Sequence, residues 1–171
     1  MENKKYRDCF FGNEKLYKEK MELLDKKIES YNACFMSNAK WRKLFLTIFD
    51  NLDIIEQCEI VVLNISNMDD KNIIWTNDVN LTNSKNKINN YILDDYIDTP
   101  LAGGHDPISY REIEYLEFRK HWTKVIHKKN QWSPEWVKKE QNLNKIKERI
   151  SDAGKFQWEG TEEYIRIYGY K

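Results

Sequence analysis

Cys58-Glu59-Ile60-Val61-Val62-Leu63-Asn64-Ile65 is where the chain changes its period. Apolar residues before it recur every three or four positions. Within it, β-branched residues crowd into a short run bounded by polar ones, the mark of a buried strand. The helical side begins with residues 13–31, where Tyr17, Met21, Leu24, Ile28 and Tyr31 form one stripe and Lys and Glu fill the other faces. Ser37 is placed to cap a second helix over 38–50, whose apolar face is Trp41, Leu44, Phe45, Ile48 and Phe49.

Downstream of the run the signals are short. Ile73-Ile74-Trp75 and Tyr91-Ile92-Leu93 are strand candidates, separated by an Asn/Ser/Asp-rich turn over Asn77 to Asn90. Asp94 to Pro107, with Pro100, Gly103 and Gly104, reads as a surface loop. Ser109-Tyr110-Arg111-Glu112 fits a capping box, and Ile113 to Phe118 follows as a strand. Ser133-Pro134-Glu135 predicts a helix over 134–152, carrying Trp136, Leu143, Ile146 and Ile150 and stopping at Gly154. Phe156 to Trp158 and Tyr164 to Tyr168 flank Glu159-Gly160-Thr161 as a hairpin. Mixed elements with local pairing and no repeat predict an α+β fold: a single domain over 1–171, with a small, mostly antiparallel sheet and about three helices. Residues 1–35 form an N-terminal helical element that the sequence leaves free to be an appendage, and 36–171 form the α+β core.

The totals support a folded chain. A length of 171 residues suits one domain, and 40 % hydrophobic with 13 % aromatic residues supplies a core that a disordered chain lacks. Cys9, Cys34 and Cys58 are odd in number and have no CxxC spacing or Cys/His cluster, so neither a disulfide framework nor a zinc site is expected. The polar start, Met1 to Tyr6, has no apolar signal region, and the longest apolar run, Ile60 to Leu63, cannot span a bilayer. These features lead to the expectation of a soluble, cytoplasmic protein with no membrane partner.

Candidate chemistry fails on spacing. His105-Asp106 lies beside Asp94, Asp95 and Asp98, the one place where imidazole and carboxylates could converge on a divalent cation, but no EF-hand or HExxH pattern accompanies them. A metal-dependent hydrolase centred on His105 and these aspartates is therefore kept only as an alternative. His121 and His127 are six apart and do not align on a helix. No GxSxG is present, and Ala102-Gly103-Gly104-His105 lacks the lysine and context of a phosphate loop. No catalytic residue, metal ligand or cofactor is assigned. Trp122, Trp132 and Trp136 flank a basic segment, His121 to Lys129, which could stack on single-stranded nucleic acid. Aromatics at element spacing are usually core, so nucleic acid is the disfavoured partner.

Charge gives the one positive lead. The net charge is zero, yet residues 50–106 hold 3 Lys/Arg against 11 Asp/Glu, a balance of −8, between segments of +4 on either side. Such a surface attracts a basic partner and speeds its capture. Asp69, Asp70, Asp78, Asp94, Asp95, Asp98 and Asp106, all near turns, are the candidate contact residues. Asp106-Pro107-Ile108-Ser109-Tyr110-Arg111-Glu112-Ile113-Glu114-Tyr115-Leu116 is similar to a "GPI-(S/Y)-(Y/F)-(K/R)-EIEWI" segment in a family of small bacterial proteins that resemble immunity proteins encoded beside polymorphic toxins. Ile165 to Tyr170 and Lys40 to Phe45 also look like parts of that family, although Asp106 and Tyr115 stand where it has glycine and tryptophan. The resemblance carries over no site residue. It implies a protein that neutralises a cognate, basic protein toxin by occluding its active site. The same decoy logic also fits a phage or mobile-element inhibitor of a host defence factor.

Overall fold

The computed structural model describes residues 5–64, 73–76, 89–98, 106–128 and 132–171. The fold is α+β. Among the described residues, three α-helices, α1 (Glu14–Glu29), α2 (Asn38–Asp50) and α3 (Leu143–Ser151), accompany nine short strands. Five strands form the main sheet: β1 (Gln57–Val62), β2 (Ile73–Thr76), β5 (Ile113–Arg119), β8 (Trp158–Gly160) and β9 (Tyr164–Tyr168). Their order is β2-β1-β5-β9-β8 and every pairing is antiparallel. β3 (Tyr96–Ile97) with β4 (Ile108–Ser109), and β6 (His121–Ile126) with β7 (Glu135–Glu140), make two separate two-stranded ladders.

The period change at residue 58 therefore marks the entry into the sheet. Alternation sends Ile60, Leu116, Phe118, Ile165 and Ile167 to one face, against Trp41, Leu44, Phe45 and Ile48 of α2 and Ile146 and Ile150 of α3. Fully burying side chains of this size stabilises the fold by about 1.5–3 kcal/mol each. Ser37 caps α2 by accepting from Lys40 N at 3.3 Å. The close fit shows at Gly169, just after β9. A Cβ there would lie 2.6 Å from the Ile113 carbonyl and 2.8 Å from the Trp41 ring, so only glycine lets this turn approach the sheet centre.

The other face of the sheet is polar. Glu59, Glu117, Arg166 and Glu159 form one row across four strands. Glu117 is buried, accepting from Arg119 Nε at 2.7 Å and Arg166 Nε at 2.5 Å. Two carboxylates directly opposite each other would repel. Arg119, within 3.3 Å of Glu59, offsets this.

The predicted helix 13–31 is α1, capped by Asn13, and its stripe packs on its own chain: Met21, Leu24, Ile28 and Tyr31 gather around Leu63 and Tyr170. Ser109 and Glu112 form the expected capping box around a short 3-10 turn. Three local expectations are corrected. Tyr91 closes a 3-10 turn (Asn89–Tyr91), and Ile92 makes a single bridge to Ile97. Within the stretch 94–107 expected as a loop, Tyr96 and Ile97 form β3 and are fully buried, and 99–105 lie outside the described residues. Most substantially, the first half of the helix expected over 134–152 is β7. Glu135 to Glu140 pairs residue for residue with His121 to Ile126, and the helical cap lies later, at Asn142, which accepts from Lys145 N at 3.0 Å. Trp136 and Val137 suit a strand, and pairing with distant residues overrode the local Ser-Pro-Glu signal.

Candidate functional site

The acidic middle of the sequence converges, in part, on β3 and β4. Asp94 and Asp95 precede β3, Asp98 follows it, and Asp106 lies two residues before β4. The Ile97↔Ile108 rung puts Asp98 and Asp106 at the same end of this ladder. Asp69, Asp70 and Asp78 lie outside the described residues, as do His105 and the two glycines beside it. Among the described residues, no group of three or more His, Cys, Asp or Glu side chains is placed to hold a metal ion.

The four aspartates that are described do different things. Asp94 is exposed and lies 3.4 Å from Arg42 Nε, a surface pair of the kind worth about 0–1 kcal/mol. Asp106 is also exposed, and Asp98 is half-buried with its backbone N–H bonded to the Tyr91 carbonyl. Asp95 turns inward: its Oδ2 accepts from Tyr6 N at 3.3 Å, and its carbonyl accepts from Tyr110 N at 3.0 Å. Burial raises the Asp95 carboxyl above its ordinary range, while the bond from Tyr6 acts in the opposite direction. Asp95 is therefore a fastener, Asp94 and Asp106 are exposed carboxylates, and Asp98 is half-buried.

The fastener belongs to a larger junction that sequence reading missed. A 3-10 turn, Tyr6–Phe10, sits over β3 and β4, with Tyr6 and Tyr96 ring centroids 5.9 Å apart. Tyr6 Oη donates to Glu112 Oε2 at 2.7 Å, Lys20 Nζ lies 2.6 Å from Glu112 Oε1, and Ser109 N donates to the same carboxylate at 2.9 Å. Burial, and then the adjacent Glu112 charge, push the Tyr6 phenol far above its usual range, so it stays a donor. Glu112 was legible as a capping residue, because its spacing from Ser109 is local. Its partners Tyr6 and Lys20 are more than 90 positions away, and no local pattern encodes them. A pocket of about 240 Å³ opens beside this junction, lined by Tyr6, Cys9, Phe10, Lys20, Asp106 and Pro107 among others.

This arrangement presents several carboxylates on a braced, two-stranded platform. An acidic surface of this kind can pair with cationic side chains. None of the chain's three cysteines is in a disulfide; Cys58 is buried and Cys34 exposed. Among the described residues, no helix is long and apolar enough to cross a membrane. No family model, curated protein or solved structure matches the chain.

Proposed function

We propose that this chain is a binding protein of immunity type, which captures a basic protein toxin and occludes its active site. The observation that carries the reading is the balance of −8 over residues 50–106, part of which surfaces as Asp94, Asp98 and Asp106 around β3 and β4. Enzymes that act on nucleic acids need positive clefts to hold phosphate, and an acidic rim is a decoy for such a cleft. The similarity of Asp106 to Leu116 to the immunity-like family supports the same reading, and that stretch forms β4, the capping turn and the start of β5.

The contact residues are narrowed to Asp94, Asp98 and Asp106, because Asp95 already serves the N-terminal turn. The test is coexpression with the product of the adjacent gene, followed by isosteric neutralisation of those three aspartates. Loss of the complex and of protection, with the fold retained, is the expected outcome. Full protection by the triple variant would overturn the assignment of this surface.

A further inference from the structure

The strands β6 and β7 form a six-rung ladder that is packed on little else. β7 is exposed at five of its six positions, and only Trp122 of β6 is buried. An isolated two-stranded ribbon is marginal in water, so one that leaves apolar surface to solvent needs a further reason. Trp132 is fully exposed and Trp136 is 67 % exposed. Trp132 and Trp136 are therefore not core residues, whereas Trp122 is.

Register sorts the ribbon's faces. His121↔Glu140, Thr123↔Lys138 and Val125↔Trp136 share the outer face, while Trp122↔Lys139, Lys124↔Val137 and Ile126↔Glu135 share the other. The outer face thus carries an exposed indole with Lys138 two residues along the same strand, about 7 Å away. Residues 121–140 hold five Lys and two Glu, opposite in sign to the acidic middle. Glu135 is taken by Lys128, whereas Lys138 and Lys139 make no ion pair among the described residues.

We infer that the β6–β7 ribbon binds single-stranded nucleic acid, with Trp132 and Trp136 as stacking surfaces for bases and Lys138 as a contact for the backbone phosphate. Bases offer a π-face of the size of an indole, and the phosphate repeat supplies the charge that the unpaired lysines lack. A base on Trp136 leaves its phosphate within reach of Lys138. Duplexes keep their base faces stacked internally, so the ribbon discriminates against them. An acidic protein would satisfy the lysines but would leave the flat, exposed indoles without a matched partner.

The test uses the full chain and a labelled oligothymidylate of about 15 nucleotides, with the oligouridylate and a duplex of equal length beside it. Fluorescence anisotropy and indole quenching read the binding. The expected result is salt-sensitive binding of the single strands, weaker binding of the duplex, and quenching on saturation. Trp136→Ala lowers affinity about tenfold, and Trp132→Ala/Trp136→Ala lowers it further. Lys138→Glu weakens binding and flattens its salt dependence. These residues are exposed, so circular dichroism and melting should match the wild type. No binding of either single strand at low salt, or unchanged affinity in the double tryptophan variant, overturns the inference. Neither result bears on the acidic rim, which uses other residues.

Discussion

The two small ladders of this molecule are opposites. β3–β4 has two rungs and β6–β7 has six, yet the shorter one is the buried one. Tyr96, Ile97, Ile108 and Ser109 are all at most 6 % exposed, whereas β7 is exposed along almost its whole length. Pairing alone does not place an element in the core. The short ladder is held by what covers it: the Tyr6 turn, the Asp95 carboxylate and the Glu112 junction. With no such cover among the described residues, the long ladder keeps Trp136, Lys138 and Lys139 for solvent or for a partner.

That contrast breaks most readily at Glu112. Glu112→Ala leaves Lys20, Tyr6 Oη and Ser109 N without their shared acceptor in a buried setting, and should cost about 3 kcal/mol in urea unfolding. A loss below about 0.5 kcal/mol, the range of ordinary surface substitutions, would mean the junction is not what holds β3–β4. Tyr110→Phe is a smaller probe. It removes a bond of 2.8 Å to the Leu93 carbonyl beside the same ladder, and about 1 kcal/mol of stability should go with it.

Asp95 makes the covered ladder sensitive to pH. Its carboxyl is raised in the folded state, so ionisation at neutral pH opposes folding; the penalty is absent below the ordinary value of 3.8 and grows as pH rises through the folded one. Asp95→Asn keeps an acceptor for Tyr6 N and loses the charge. Its melting temperature should exceed the wild type's at pH 7, with the difference shrinking as pH falls towards 4. A constant difference across that range would show that Asp95 is not desolvated by the N-terminal turn. Smallest of all is Val125→Ala on the outer ribbon face, expected to stay within about 0.5 kcal/mol of wild type because the side chain is already exposed.

The same contrast explains what could be read from the sequence. α1, α2, β1 and β5 were legible because each carries several apolar residues at one period, with Ser37 as a local cap for α2. β3 and β4 are two residues each, too short to have a period, and they sit in a stretch whose Pro and Gly announce a loop. β7 was hidden by a strong local helix signal at Ser133-Pro134-Glu135, which its register with β6 overrides. Charge marks the acidic region only as a composition. It could not distinguish Asp95 from Asp94, because the difference is a bond to a backbone N–H 89 residues away.

The proposed function rests on capture of a basic partner by the carboxylates around β3–β4. The most direct measurement is the dissociation constant of the adjacent gene's product for the wild type and for Asp94→Asn/Asp98→Asn/Asp106→Asn, by titration calorimetry at two ionic strengths. The prediction is an affinity lowered about a hundredfold, about 2.7 kcal/mol, with a weaker salt dependence and an unchanged melting temperature. An affinity within about twofold of wild type, with the same salt dependence, would contradict it.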